Sequence, residues 1–148
     1  MSGGLTLDAS ALIAFERNDR AVVAIVARAQ QHKVRLAAPA GVVGQVWRDG
    51  ARQARLARLL GSDSMEIVPL DDERARAAGQ LCGVAGTPDV IDASVVLCAR
   101  ERGHGVLTCP TSTTWSGWMR RCAMCASDGS PSQLPTRSSA RIIAAPLA

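Results

Sequence analysis

Rings are scarce in this sequence: there is no tyrosine, Phe15 is the one phenylalanine, and Trp47, Trp115 and Trp118 bring the aromatic share to 3%. Stacking of successive bases on aromatic side chains is therefore not expected as a binding mode. The core must be built from Val, Leu, Ile and Ala. Long apolar runs are lacking too. None approaches the ~18 residues needed to cross a membrane, and the N-terminus has no basic-then-apolar leader. Both absences point to a cytoplasmic protein with no membrane partner. Cysteine is not lacking, but five thiols in such a compartment read as reduced side chains and not as a disulfide framework.

Acidic charge is what the C-terminal part lacks. Residues 109–148 hold four Arg and only Asp128, whereas residues 1–108 carry 13 Arg and Lys against 12 Asp and Glu. The tail also holds 11 Ser and Thr against 8 in everything before it, four of the seven prolines and three of the five cysteines. No helical or alternating period survives there, so most of it is expected to be irregular or disordered. The expected organisation is one domain over 1–108, long enough for a sheet covered by helices, followed by the tail over 109–148.

Within 1–108 strands and helices alternate. Leu5 to Leu7 reads as a short buried strand, followed by a helix from about Ser10 to Glu16. Asn18 or Asp19 caps a second helix through Val22, Ile25, Val26 and Ala29. Lys33 to Ala38 returns as a strand, and Pro39 opens a helix that holds Val42, Val43, Val46 and Trp47. Next, Gly50 and Gly61 bracket a helix on which Arg48, Arg52, Arg55 and Arg58 fall on one stripe. Such a stripe suits an RNA backbone or an acidic segment, and it is also what a solvated helix face looks like. Met65 to Leu70 is a third strand, and Asp71-Asp72-Glu73 opens a helix running to about Val84. After the break at Gly86-Thr87-Pro88, Asp89 to Arg102 is helical and leads through Gly103-His104-Gly105 to a strand at Val106-Leu107-Thr108. Strands separated by helices predict an α/β fold with a parallel central sheet and ligands at the carboxyl ends of the strands.

Asp8 stands at such an end, where Leu5-Thr6-Leu7 gives way to a helix. Thr87-Pro88-Asp89-Val90-Ile91-Asp92-Ala93 repeats the pattern of acids at a helix start. Acids converging from a strand end and a later helix would make an oxygen-rich site for Mg²⁺ or Mn²⁺. Each has a plainer reading: Asp8 as an N-cap, Asp89 and Asp92 as first-turn acids favoured by the helix dipole.

The order LDASALIA, AGVVGQVWR and DVIDASVVLCARERGHGVLT resembles PIN-domain ribonucleases, specifically the VapC-like toxins of bacterial toxin–antitoxin pairs. The resemblance spans about residues 4 to 108 and rests on the order and spacing of short motifs. It implies an α/β/α fold, Mg²⁺-dependent endonucleolytic cleavage of RNA, homodimers, and a cognate antitoxin that occupies the active-site groove. On it, Asp8 matches the first acid of the family and Asp92 the acid of the late helix, as principal metal ligands. Asp89 and Gln45 would support them, and Ser10 could bond a ligand.

Two departures bear on activity. Where the family's middle helix presents Glu followed three residues later by Arg, this chain has Gln45 and Arg48, which removes a negative charge and should weaken metal binding; Asp49, read as lying on the same helix, is a substitute. After the fourth strand the family continues with Thr-Ser-Asp and a further metal-binding acid, whereas this chain runs Thr108-Cys109-Pro110-Thr111-Ser112-Thr113-Thr114-Trp115. A displaced reading frame would account for it: starting each codon at the third base, with GC-rich codons, turns the segment from Pro110 into Asp-Val-Asp-Asp-Leu-Val-Arg-Leu-Asp-Ala-Ala-Leu-Arg-Asp-Val. The rival explanation is a natural divergent tail.

Cys122-Ala123-Met124-Cys125 has zinc or redox spacing, and His104 with Cys109 could complete four ligands. It lacks both a second close pair and the strand-to-helix position of a thioredoxin-like site. Cys82 and Cys98 read as buried helix residues. Two functional expectations remain: a metal-dependent ribonuclease, its activity lowered by the departures, and a PIN-like protein that binds RNA or an antitoxin without turnover.

Overall fold

The computed structural model describes residues 3–109 and 140–144. Strands β1 (Leu5–Leu7) and β2 (Leu36–Pro39) are buried at every position, the pattern of strands covered on both faces. With β3 (Met65–Val68), β4 (Gly105–Thr108) and β5 (Arg141–Ala144) they form one sheet in the order β3-β2-β1-β4-β5. The first four are parallel, with Leu7 opposite Leu107, while β5 runs antiparallel to β4.

Local signals start and stop most of the helices. Asp8, Asp19, Asp71 and Asp89 each accept a backbone N–H at the first turn of α1 (Ala9–Glu16), α2 (Arg20–Gln31), α5 (Asp72–Ala85) and α6 (Val90–Arg102). Such a cap contributes about 1 kcal/mol. Gly86 and Gly103 end α5 and α6 in the left-handed conformation, with φ of +66° and +63°, where a Cβ would be strained. The shorter α3 (Ala40–Val46) and α4 (Ala54–Leu60) lie between β2 and β3.

Two helical layers enclose the sheet. On one side α1 packs against α2, α3 and α4; on the other α6 lies across β1, β2 and β4 and carries α5. Leu7, Leu12, Leu36, Leu56 and Leu107 fill the core, and truncating any of them to Ala would cost about 2–5 kcal/mol. Ala93, Ser94 and Ala99 are buried on α6, where small side chains bring the helix close to the strands. No single described helix is long and apolar enough to cross a membrane.

Four details differ from the sequence-based expectations. The strand expected from Lys33 pairs only from Leu36, because Lys33 turns the chain at φ 55°. The four-arginine stripe is broken: α3 ends at Val46 and α4 starts at Ala54, leaving Trp47, Arg48 and Arg52 outside both helices. The cause is Gln53, whose Oε1 accepts from Arg48 N–H and Asp49 N–H (2.7 and 3.0 Å) while its Nε2 donates to Val46 O (2.9 Å), replacing helical bonds with side-chain bonds. Asp49 consequently sits in a turn, accepting from Ala51 N–H, and not on the α3 face beyond Gln45. Finally, 141–144 of the tail is a strand, placed by the backbone pairing of Ile142 and Ile143 with Leu107 and Val106. The segment proposed to arise from a displaced frame lies outside the described residues.

Candidate functional site

Asp8 leaves β1 and caps α1 in one step, which buries it to 3% exposure at the carboxyl end of the sheet. Its Oδ1 accepts the Ala11 N–H at 2.7 Å, and the Ser10 hydroxyl reaches both carboxylate oxygens at 2.7 and 2.9 Å. Ser10 Oγ in turn accepts the Cys109 N–H at 2.9 Å and lies 3.2 Å from Thr108 Oγ1. With its acceptor side engaged by the end of β4, the one hydroxyl proton of Ser10 is left to point at Asp8. Burial raises the Asp8 pKa above its ordinary value, against the lowering effect of these hydrogen bonds.

Asp89 and Asp92 belong to the first turn of α6. Asp89 is the N-cap: its Oδ1 accepts the Asp92 N–H at 3.0 Å, and its own N–H donates to Thr87 Oγ1 at 3.3 Å. The half-buried Asp92 carboxylate meets no donor among the described residues. Burial, with the negative charges of Asp89 and Asp8 nearby, pushes its pKa up to about 7. Asp8 and Asp92, from opposite layers of the fold, therefore face one electrostatic site, with Asp89 beside them. The thiol of Cys82 on α5 borders it and is raised by burial and by the charges of Asp89 and Asp92.

Gln45 is exposed on α3, one turn beyond Gly41, which closes against Ile91 in the first turn of α6; among the described residues its side chain makes no hydrogen bond to the acids. Arg48 folds back to donate to Gly44 O and Trp47 O. His104 and Cys109 flank β4 at opposite ends, about 16 Å of extended chain apart, so they do not converge. Cys122 and Cys125 lie outside the described residues. His104 is instead buried over Gly4, with Nδ1 3.3 Å from Thr6 Oγ1. Thr108 was not singled out in the sequence; the signal was positional, since it ends the strand hydrogen-bonded next to β1.

All donors at the site are carboxylate oxygens, the hard ligands that Mg²⁺ and Mn²⁺ take. The undonated, mutually repelled Asp92 carboxylate fits a cation in kind. In number the set is small: no three His, Cys, Asp or Glu side chains among the described residues are grouped to hold a metal ion. Two carboxylates with the remaining positions filled by water are nonetheless within what Mg²⁺ accepts.

No family model and no curated protein matches this sequence. Among solved structures, the crystal structure of the Mycobacterium tuberculosis VapC20 toxin, described as cleaving the sarcin–ricin loop, aligns with a TM-score of 0.50 at 16% identity, covering 68% of this chain and 85% of that one. At such identity the likeness is one of architecture, and it agrees with the strand order and the helical layers: the chain has a PIN-like α/β/α fold.

Proposed function

We propose that the protein is a metal-dependent endoribonuclease, acting as the toxin of a toxin–antitoxin pair. The observation that carries this reading is the convergence of Asp8 and Asp92 at the carboxyl end of β1, where burial, with the charges of Asp89 and Asp8 added to it, pushes the Asp92 pKa up to about 7. Asp8 and Asp92 would hold the cation, Mg²⁺ or Mn²⁺, which when bound supplies an activated water and neutralises charge on a scissile phosphate. Ser10 keeps the Asp8 carboxylate fixed in one orientation. Asp89, spent as the α6 cap, acts on the site through its charge. RNA is the proposed substrate; a cognate antitoxin and a second copy of the chain are the proposed partners.

A second reading, a PIN-like protein that binds RNA or antitoxin without turnover, is favoured by the exposed Gln45 and by the small number of grouped ligands. Incubation of the purified chain with a single-stranded RNA and Mg²⁺ or Mn²⁺ separates the two. Cleavage that EDTA and Asp8→Asn both abolish supports the enzyme; unchanged cleavage by Asp8→Asn overturns it. Tight RNA binding with no cleavage under any metal establishes the binding protein.

A further inference from the structure

Away from the acids, α1, α2 and α4 enclose an open cleft of about 490 Å³. Phe15 and Leu59 form its apolar part, Gln30 and Ser62 its polar edge, and Arg55 and Arg58 project from α4 along it. Neither arginine has a carboxylate partner among the described residues. Arg55 is nevertheless oriented, since its Nη1 donates to Asn18 Oδ1 at 2.7 Å, and Asn18 is held in the left-handed conformation at φ 63°. Glu16, the acid of α1, turns its Oε2 to the Leu56 N–H at 2.7 Å instead of to either guanidinium. Glu16 is thus committed to the α4 backbone and does not neutralise the cleft.

The charge extends past the cleft. Arg17, Arg20, Arg28 and Lys33 are exposed in the same layer and also lack ion-pair partners among the described residues. An array of unpaired cations suits a ligand with a regular repeat of negative charge better than one carboxylate. Phe15 lies seven residues along α1 from Asp8, about 10 Å by the rise of a helix, so a strand seated here could reach the acids within a few nucleotides. We infer that this cleft is a subsite for a phosphate of single-stranded RNA, gripped by Arg55 and Arg58, with a ribose or base against Phe15 and Leu59. The inference rests on the ribonuclease reading for its choice of polyanion, and it adds a grip on the substrate remote from the metal ligands.

The test is equilibrium binding of a fluorescein-labelled single-stranded RNA by anisotropy, in EDTA so that no cleavage intervenes. The protein is the full chain, its Arg55→Gln/Arg58→Gln variant, the Arg55→Lys/Arg58→Lys variant, and Arg74→Gln/Arg76→Gln on the other layer. The Gln pair should weaken binding about tenfold at ~50 mM salt and reduce the slope of log K against log salt by about 1.4, the value for two phosphate contacts on a single strand. The Lys pair should keep most of the slope, and the Arg74/Arg76 pair should bind as the parent does. Thermal melts of all four confirm that each is folded. Equal RNA affinity of the parent and the Gln pair overturns the inference while leaving the ribonuclease reading intact if metal-dependent cleavage persists. An unchanged RNA affinity with lost affinity for a polyglutamate peptide overturns it in favour of an acidic protein partner. Loss of RNA binding in the Gln pair, from a chain that never cleaves, supports the subsite and discards the nuclease.

Discussion

The two layers flanking the sheet carry opposite charge and use it differently. Residues 3–63, which include α1 to α4, hold nine Arg and Lys against five Asp and Glu; residues 64–109, with α5 and α6, hold four against seven. In the second region Arg74, Arg76 and Arg102 are tied to Asp71, Asp72, Glu66 and Glu101 at 2.7 to 3.4 Å. In the first, the one arginine with an ion pair among the described residues is Arg52, loosely held to Asp49 at 3.5 Å. Cations that neutralise neighbours are spent within the fold, and those left without partners are free to meet a ligand. The acid site lies at the seam, taking Asp8 from the basic layer and Asp92 from the acidic one. This division sets the proposed grip on RNA, within the basic layer, apart from the proposed holding of a cation at the seam, so each can be removed separately.

The largest expected effect is at the seam. Asp8→Asn or Asp92→Asn should lower metal-dependent RNA cleavage on the order of 10²–10³-fold and leave RNA affinity in EDTA unchanged or slightly higher, because each removes a negative charge. A fall in affinity as large as the fall in rate would show that the acids bind RNA directly and would dissolve the division. Next comes Ser10→Ala. It deletes the hydroxyl that joins Asp8 to the Cys109 N–H, taking a donor from the buried Asp8 carboxylate, so it should cost about 1–2 kcal/mol in urea unfolding and about tenfold in cleavage.

How much of this was legible in advance depended on whether the signal was local. Asp19, Asp71, Gly86 and Gly103 are caps whose meaning lies in the neighbouring residues, and the helices they bound were read to within a few positions. The strand-end position of Asp8 and the helix-start position of Asp92 were local in the same sense. The break between α3 and α4 was not, because it depends on the side chain of Gln53 folding back onto Val46 O, which no periodicity encodes. Strand β5 was missed for a similar reason: Arg141–Ala144 is too short to show a period, and its place is fixed by pairing with β4, far back in the chain. Thr108 took its meaning from strand order, since only the β1–β4 adjacency sets it beside Ser10.

A pH titration sharpens the comparison further. Asp92 has its pKa raised from 3.8 to about 7 in the folded protein, so its contribution is full below about pH 4 and is lost as pH rises through about 7. Allowing for solvent screening at a half-buried carboxyl, the loss should be about 1–2 kcal/mol, and Asp92→Asn should flatten it. His104 works in the opposite sense. Burial and Arg102 lower its pKa from 6.5, so the folded state loses stability as pH falls below 6.5, and His104→Gln should remove that loss. Urea midpoints of the parent and both variants across this range check the signs. Because a cation must displace the Asp92 proton, Mn²⁺ affinity measured by calorimetry should rise from pH 6 to 8 in the same window; a flat profile would place the cation away from Asp92.

The smallest effect is expected where charge is fully paired and fully wet. Arg76 and Asp72 form an ion pair at 2.9 Å on the first turns of α5, with side chains 78% and 80% exposed. Water screens so exposed a pair, and holding two side chains in one geometry costs entropy, so breaking it with Arg76→Gln should cost about 0.3 kcal/mol. RNA affinity should not change either. The same substitution at Arg58, equally polar and just as clearly on the surface, should leave stability alone but weaken RNA binding severalfold. The two variants are alike in chemistry and differ in whether the guanidinium has a partner. Equal effects on RNA binding would mean that net charge alone governs the interaction, and that the paired and unpaired halves of the surface are not functionally distinct.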